Sequence, residues 1–368
     1  MKIKIERLQK IAYHIMFFVM LVIPIPLYFV VRGKLDHENY EYRTLAAFPD
    51  IKETGYTGFA KAFENWFSDH QPYKNELVEL GSYVKFYVFR TPSDPTVVIG
   101  KDNWLFFKGV DPDDPIAYYQ GNNLLTDEEL EALAVSLNAA DKELEARGCD
   151  FVLFLTPEKE RMYPQYMPDI YGKPAEKCRY FQVAEYLREH TDIPVILAYD
   201  SLKPYMDSHP DEQTYLKYDT HWNEAGAYIG STEIAKYLGH PLPYYDDINV
   251  SIENYPQENL GRLLHLQDTF NDDHSRVLSG YGESEYKYDP ASGDMHFYNS
   301  EGTDDRKIML IGDSYRLFMQ KYALRDFKMG YSDYYYNYTH DALEAEDPDI
   351  FIYESHEYAL SHLSDFVP

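Results

Sequence analysis

Hydrophobic positions beyond residue 120 alternate between helical spacing and short continuous runs. Thr126 and Glu129 form a capping box, and leucines at helical spacing follow until Gly148, which predicts an amphipathic helix. Further helices are predicted at residues 176–190, at 223–238 and from about Ser314. Apolar runs of strand length lie between them, at Phe151–Leu155, Val195–Leu197, Lys307–Ile311 and Ile350–Tyr353. This alternation predicts an α/β layered domain with a mainly parallel sheet, whose reactive groups lie at the carboxyl ends of strands.

The remaining patterns divide the chain into an amino-terminal segment (1–32), a linker (33–60) and a large folded domain (61–368). The linker is polar and contains turn-forming glycine and proline. Two short strands are predicted around Val97–Ile99 and Trp104–Phe107. Residues 240–300 lack the alternation and are rich in Tyr, Asp, Asn and Gly, so we interpret them as an irregular insertion that lines or covers the functional site.

The segment Ile11–Val31 contains no Asp, Glu, Lys or Arg, and its 21 residues are enough to span a hydrocarbon layer of about 30 Å. Pro24 and Pro26 predict a kink in this helix. Basic residues precede the segment, which predicts a single-pass protein with its amino terminus in the cytoplasm and its bulk outside. The alternative is a cleaved signal peptide, which the length of the run and the lack of a small-x-small site disfavour. Both interpretations predict export.

Composition excludes several classes of protein. A chain that is 45% hydrophobic and 16% aromatic is folded rather than disordered, and we interpret its 37 tyrosines as ordinary surface and core residues. The net charge is −28, and because residues 1–32 carry +4, the remainder carries −32, which disfavours nucleic-acid binding. Cys149 and Cys178 are compatible with one disulfide or two free thiols. Their spacing does not indicate a zinc site, and no metal is predicted.

The strand Lys307–Ile311 ends in Gly312-Asp313-Ser314 where a helix begins. A serine at such a turn projects its hydroxyl from the sheet edge, and the start of the helix offers backbone donors for an oxyanion. The alternative is that Asp313 and Ser314 only cap the helix.

A serine nucleophile needs a base, usually a histidine held by a carboxylate. Asp219-Thr220-His221-Trp222 lies just before a predicted helix, and residues i and i+2 of an extended segment point the same way, so Asp219 can orient His221. The alternative is an aspartate cap followed by a histidine on the first helical turn. Taken together, the two motifs favour a triad of Ser314, His221 and Asp219.

Five further residues are candidates for supporting the site or binding substrate. Lys159 follows the end of a predicted strand, where a solvated lysine is the alternative interpretation. Trp222 is expected to pack behind His221 rather than to bind a sugar. Gly312, Asp313 and Tyr315 flank Ser314 and complete the set.

These two motifs resemble the SGNH-like proteins of the alginate O-acetyltransferase type and the related DHHW proteins. In ordinary SGNH hydrolases the Gly-Asp-Ser block comes first, whereas here it follows the Asp and His block, which is a circularly permuted order. Segments at 41–49, 63–70 and 100–107 also resemble the family. Thr220 departs from the histidine that gives the DHHW proteins their name, but that position is not the base.

The resemblance implies an SGNH-hydrolase-like three-layer sandwich without a cofactor. It also implies an extracytoplasmic O-acetyltransferase that acts on an exported cell-surface polysaccharide through an acyl-serine. A membrane-bound, multi-pass O-acyltransferase is the implied partner and acyl donor. The acidic body of the chain favours an uncharged glycan as the acceptor.

Two alternatives remain. A carbohydrate esterase or deacetylase uses the same triad and differs only in whether water or a sugar hydroxyl takes the acyl group. The predicted anchor and the permuted order favour transfer. A glycan-binding or assembly scaffold needs no triad, and the presence of both Ser314 and His221 disfavours it.

Overall fold

The computed structural model describes residues 2–37, 39, 44–110, 113–255, 259–270, 274–279, 285–288, 295–366 and 368. Residues 41–43, which belong to one of the segments resembling the family, lie outside this set, as do parts of the predicted insertion. The chain forms two compact units. Unit 1 comprises Met1–Ser93 with Leu264–Leu266, and unit 2 comprises Asp94–Leu263 with Gln267–Pro368.

Unit 1 is helical. Its helices are α1 (Lys2–Val22), α2 (Pro24–Val31), α3 (Ile51–His70) and α4 (Lys74–Val84), and one π-helical turn follows at Lys85–Phe89. Asp50 caps α3, because its side chain accepts a hydrogen bond from the Lys52 amide at 2.8 Å. Helix α3 therefore begins inside the segment predicted as a linker, and the predicted boundary after residue 60 lies within this helix.

The predicted continuous span at residues 11–31 is divided in the structure. Helix α1 ends at Val22 and α2 begins at Pro24. Proline has no amide hydrogen to donate to the preceding turn, so the expected kink is a boundary between two helices. In the part of the chain that the structure describes, no helix is both long and apolar enough to cross a membrane.

Unit 2 alternates strands and helices. Its strands are β1 (Val97–Ile99), β2 (Leu105–Phe107), β3 (Asp150–Thr156), β4 (Val195–Leu197), β5 (Asn249–Asn254), β6 (His274–Ser279), β7 (Glu285–Tyr288), β8 (Met295–Tyr298), β9 (Asp304–Gly312), β10 (Phe327–Tyr334) and β11 (Ile350–His356). Its helices are α5 (Pro115–Gln120), α6 (Asp127–Ala146), α7 (Lys159–Met162), α8 (Arg179–His190), α9 (Tyr199–Ser208), α10 (Glu224–Gly230), α11 (Thr232–Tyr237), α12 (Asn259–Leu263), α13 (Arg316–Ala323) and α14 (His340–Glu346).

A seven-stranded sheet with the order β4-β3-β11-β9-β10-β8-β7 forms the centre of unit 2. The first five strands of this order are parallel, whereas β8 is antiparallel to both β10 and β7. The prediction of a mainly parallel sheet is confirmed. Its parallel strands bring the ends of β3, β9 and β11 to one edge.

Helices cover both faces of this sheet. On β3, Val152 and Phe154 belong to a hydrophobic cluster that includes residues of α9, α10 and α13. The alternate residues Phe151, Leu153 and Leu155 belong to a second cluster, with residues of α6 and α8. Because successive side chains of a strand point to opposite faces, both faces of β3 are buried, and the layers are helix, sheet and helix.

Several elements differ from the sequence-based prediction. The helix predicted at 223–238 is interrupted at Ser231 and forms α10 and α11. The insertion predicted as irregular contains β5 to β8, and two of these strands extend the central sheet. Strand β10 was not predicted. Cys149 and Cys178 are both free and buried, and burial raises the pKa of these thiols to about 12 and about 11.

Candidate active site

Ser314 lies in the turn between β9 and α13, at the carboxyl edge of the sheet. Gly312 lets this turn approach β11 closely. A Cβ atom at Gly312 would lie 2.5 Å from Glu354 Oε2 and 2.9 Å from the Glu354 carbonyl oxygen. Only a glycine fits there without displacing β11, so the role of Gly312 is to position the strand that carries the serine.

Asp313 holds the turn in shape. Its Oδ1 accepts a hydrogen bond from the Tyr315 amide at 2.8 Å, and its Oδ2 accepts from the His356 amide at 2.8 Å and contacts His356 Nδ1. Burial opposes the charged form, but the charge and hydrogen bonds of His356, with the Tyr315 amide, hold the pKa of Asp313 below its usual range. Asp313 therefore organises the backbone on both sides of the nucleophile.

The three residues predicted as a triad lie together. The distance from His221 Nε2 to Ser314 Oγ is 2.6 Å, and that from His221 Nδ1 to Asp219 Oδ1 is also 2.6 Å. Asp219 is buried, whereas Ser314 and His221 are partly exposed, with 18% of the His221 side chain accessible. Solvent or substrate can therefore reach the serine and the base but not the carboxylate.

The Asp219 carboxylate is held by more than the imidazole. Its Oδ1 also accepts from the His221 amide at 3.1 Å, and its Oδ2 accepts from the Asn259 amide at 2.8 Å. Although burial favours the neutral acid, the hydrogen bonds and charge of His221 and the Asn259 amide lower the pKa of Asp219. The group is an anion at neutral pH, as an orienting carboxylate must be.

Asn259, at the start of α12, is a functional residue that the sequence analysis missed. Its Oδ1 accepts from the Thr220 amide at 3.0 Å and its Nδ2 donates to Thr220 Oγ1 at 2.8 Å. These bonds fix the loop between Asp219 and His221. Asn259 lies in the insertion that was predicted as irregular, and the sequence around it does not indicate a partner 40 residues upstream.

Lys159 supports the same loop from behind. The side chain is buried, and Nζ donates to the carbonyls of Leu105, Lys217 and Asp219 at 2.6, 2.8 and 2.9 Å. It also lies 5.1 Å from the centroid of the Trp104 ring. An ammonium has three protons, so these carbonyls account for all of its donors. The structure thus places Lys159 in the scaffold of the site and not in solvent.

Trp222 and Tyr315 join the two catalytic segments. Trp222 is fully buried, and its Nε1 donates to the Tyr315 carbonyl at 3.3 Å. Tyr315 in turn donates its hydroxyl proton to the Thr220 carbonyl at 2.8 Å. Burial raises the pKa of Tyr315 well above its ordinary value, so the hydroxyl remains a neutral donor. Both rings face the protein interior, which agrees with the packing role expected for Trp222.

A buried acidic network beneath the nucleophile turn was also missed. Glu354 accepts from Thr156 Oγ1 at 3.1 Å and from the Asp313 amide at 3.0 Å, and burial together with the charge of Asp313 raises its pKa well above the usual range. Glu158 Oε1 lies 3.6 Å from His356 Nε2, and burial also raises the pKa of Glu158. Within the described residues, no group of His, Cys, Asp or Glu side chains is arranged to hold a metal ion.

The arrangement is suited to nucleophilic catalysis. His221 can take the hydroxyl proton of Ser314 through Nε2 while Asp219 stabilises the resulting imidazolium. The rings of Tyr315 and Phe318 lie 5.3 and 5.6 Å from the His221 ring and restrict its orientation. All eight residues singled out in the sequence lie at this edge of the sheet.

Comparisons with known proteins agree with this architecture. The family model described as "SGNH hydrolase-like domain, acetyltransferase AlgX" matches residues 97–327. A probable alginate O-acetylase AlgJ of Pseudomonas syringae pv. tomato is 28% identical over 280 residues, which cover 70% of this chain and 63% of the relative. The chain thus spans less than two thirds of the length of that relative.

Two solved structures share the fold. Bacillus cereus PatB1 with a sulfonyl adduct aligns with a TM-score of 0.53 at 13% identity, covering 73% of this chain and 96% of PatB1. A DHHW family protein of Eubacterium siraeum aligns with a TM-score of 0.50 at 13% identity, covering 74% of this chain and 98% of that protein. The family match extends over more than half of the chain. The protein therefore belongs to the SGNH hydrolase-like family of the AlgX acetyltransferase type.

Proposed function

We propose that this protein is a serine-dependent O-acetyltransferase that moves an acetyl group onto hydroxyls of a polysaccharide. The observation that carries the proposal is the continuous hydrogen-bonded chain from Asp219 through His221 to Ser314, in which His221 and Ser314 are partly exposed. Family membership supports acetyl transfer, and the relative named as a probable alginate O-acetylase supports a polysaccharide acceptor.

The first half-reaction forms an acetyl-serine. Ser314 Oγ attacks the acetyl carbonyl carbon while its proton moves to His221 Nε2, and Asp219 stabilises the imidazolium. The tetrahedral intermediate collapses, the bond to the leaving group breaks, and the leaving group takes the proton from His221. Backbone amides at the start of α13, which begins two residues after Ser314, are the proposed donors to the oxyanion.

The second half-reaction transfers the acetyl group. A sugar hydroxyl gives its proton to His221 Nε2 as its oxygen attacks the acetyl-serine carbonyl. The ester bond to Ser314 then breaks, and Ser314 Oγ takes back the proton. The partly exposed position of Ser314 and His221 allows an acceptor as large as a glycan to approach.

We place this chemistry in unit 2 and outside the cytoplasm, with a membrane-bound, multi-pass O-acyltransferase as the acyl donor. Two observations support this assignment. All the hydrogen bonds of the triad come from residues of unit 2. Basic residues precede the apolar segment at 11–31, which is typical of a cytoplasmic amino terminus.

A carbohydrate esterase or deacetylase is the second candidate. The same exposure that admits a sugar hydroxyl admits water, and the triad chemistry of the first half-reaction is identical. The two activities differ only in the acceptor of the second half-reaction. Product analysis with and without a glycan therefore distinguishes them.

The test uses the purified full-length chain with p-nitrophenyl acetate, following release of nitrophenol and the acetyl adduct by intact mass. We expect Ser314→Ala to lower release at least about 1,000-fold and to abolish the adduct. The matched control is Ser364→Ala, which alters an exposed serine away from the triad. Equal release by wild type and Ser314→Ala, with the fold verified by circular dichroism, would refute the acyl-serine and favour the scaffold alternative.

A further inference from the structure

A run of three tyrosines, residues 334–336, begins at the last residue of β10, the strand beside the one that leads to the nucleophile. Strands β9 and β10 are parallel, and their register pairs Tyr334 with Gly312. The Tyr335 amide continues this contact by donating to the Gly312 carbonyl at 2.9 Å. The tyrosine run thus starts beside the residue that lies two positions before Ser314.

Tyr334 is also tied to the residue two positions after Ser314. The Arg316 guanidinium carbon lies 4.4 Å from the centroid of the Tyr334 ring, and the Arg316 side chain is fully buried. Its Nη1 donates to Ser332 Oγ at 2.5 Å, which holds the guanidinium against β10. Contacts on both sides of the nucleophile turn therefore fix the Tyr334 ring next to the site.

Tyr336 adds a second ring, exposed to solvent, to the fixed ring of Tyr334. The rings of Tyr334 and Tyr336 are stacked, with centroids 4.9 Å apart and planes 14° from parallel, and Tyr336 is 65% exposed. Asp333 shapes the turn, because its Oδ1 accepts from the Tyr334 amide at 2.7 Å and from Asn337 Nδ2 at 3.2 Å. The result is an exposed aromatic surface held in place before any ligand arrives.

We propose that Tyr336, supported by Tyr334, stacks against a pyranose ring of the acceptor and that this acceptor is an uncharged hexopyranose polymer. The inference rests on the proposed function and specifies its substrate class. The C–H groups on the face of a pyranose carry partial positive charge, which complements the negative face of an aromatic ring. Stacking on this surface, which begins beside the nucleophile turn, holds the polymer so that a neighbouring hydroxyl reaches the acetyl-serine.

The charge of the chain selects against a polyuronate. Residues 33–368 carry a net charge of −32, which repels an anionic polymer and leaves an uncharged one unaffected. Arg316, whose guanidinium packs on the Tyr334 ring, is buried and donates to Ser332, so it does not offer its charge to a carboxylate of the ligand.

The test compares three variants of the full-length chain. Tyr336→Ala removes the exposed ring, Tyr336→Phe keeps it, and Tyr237→Ala removes a 48% exposed tyrosine from α11 as the matched control. Acetyl transfer from p-nitrophenyl acetate to cellohexaose is measured by mass spectrometry over a range of cellohexaose concentrations. Nitrophenol release without glycan is measured in parallel.

Tyr336→Ala is expected to raise the KM for cellohexaose about three- to ten-fold, the usual range for loss of one aromatic stacking contact. Tyr336→Phe and Tyr237→Ala should keep the wild-type KM, and release without glycan should be unchanged in all three. An unchanged KM in Tyr336→Ala overturns the inference. So does a lower wild-type KM for a mannuronate hexamer than for cellohexaose, or transfer to neither.

Failure of the proposed function gives a different result, namely no nitrophenol release by the wild type itself. In that case, calorimetric titration with cellohexaose tests the stacking surface directly. Binding that Tyr336→Ala weakens and Tyr336→Phe retains supports the surface, and absence of such binding overturns it.

Discussion

The Asp219 carboxylate accepts hydrogen bonds that an amide in its place cannot all accept. Three N–H groups point at it, two from His221 and one from Asn259. In Asp219→Asn, the single oxygen can face either the two N–H groups of His221 or the amide of Asn259, but not both residues. If the amide nitrogen faces His221, the imidazole must carry its proton on Nε2 and cannot deprotonate Ser314. If it faces the Asn259 amide, two donors oppose each other.

We therefore expect Asp219→Asn to lower the rate of acetyl-serine formation by about 10³- to 10⁴-fold with little change of fold. Rapid-quench measurement of the acetyl adduct by intact mass gives this rate directly. Asp211→Asn, at an exposed position, is the control and should match the wild type. A loss smaller than ten-fold would show that His221 keeps its working tautomer without the carboxylate.

At the residue scale, short motifs predicted the triad but not the groups that hold it. Asp219 and His221 are two positions apart, and Ser314 stands at a recognisable strand-to-helix turn, so local sequence contains that information. Asn259 and His356 are brought to the site only by folding, from 40 and 42 residues away. Their chemical types are common at surfaces and caps, and nothing in the neighbouring sequence indicates their partners.

At the scale of secondary-structure elements, the ends of β3, β9 and β11 form a buried acidic edge whose charge depends on pH. The folded protein raises the pKa of Glu354 well above 4.5, so the folded state retains a proton that the unfolded state loses. The contribution of Glu354 to stability is therefore complete below about pH 4.5 and is lost as pH rises towards its folded pKa. The folded protein lowers the pKa of Asp313, so the effect of pH is opposite. The contribution of Asp313 to stability is lost only when the pH falls below 3.8, its ordinary pKa.

Glu354→Gln should remove this loss of stability. The side-chain oxygen of a glutamine can accept from the Asp313 amide as Glu354 does. The Thr156 hydroxyl, which donates to Glu354, can rotate to accept from the glutamine amide nitrogen. We expect the variant and wild type to have similar free energies of unfolding at pH 5. At pH 8 the variant should be more stable than the wild type, because a glutamine does not titrate whereas Glu354 must keep a proton that the unfolded chain has lost.

Urea unfolding at pH 5, 6, 7 and 8 measures this difference, with Glu131→Gln on the exposed face of α6 as the control. A constant difference between Glu354→Gln and wild type across this range would mean that Glu354 is not protonated in the folded protein. The range lies above 3.8, so the titration of Asp313 does not contribute.

The central strands were predictable because both of their faces are buried. Continuous apolar runs located β3, β4, β9 and β11, since such runs are typical of parallel strands covered by helices. Strand β10 has a mixed sequence, with Gly330 in its middle and the buried polar residues Ser332 and Asp333 near its end. Arg316 donates to Ser332, and the Tyr334 amide and the Asn337 side chain donate to Asp333. The burial of these polar groups therefore depends partly on residues outside the strand.

At the scale of the whole molecule, the excess of negative charge opposes compaction. The chain carries 62 acidic against 34 basic residues, and folding brings these charges closer together. The exposed ion pairs on its surface, such as Lys61 with Glu64, offset little of this repulsion because such pairs contribute at most about 1 kcal/mol each. Stability should therefore depend on the ionic strength of the solution.

We expect the melting temperature at pH 7.5 to rise by about 2–4 °C between 0.01 and 0.15 M sodium chloride, equivalent to roughly 1 kcal/mol. Over this range the screening length falls from about 30 Å to about 8 Å, which weakens repulsion between distant carboxylates more than attraction within close pairs. Differential scanning calorimetry at several salt concentrations measures the shift, and sodium fluoride in place of chloride controls for specific anion binding. A melting temperature that falls with salt would mean that attraction within close pairs outweighs the repulsion of the net charge in the folded protein.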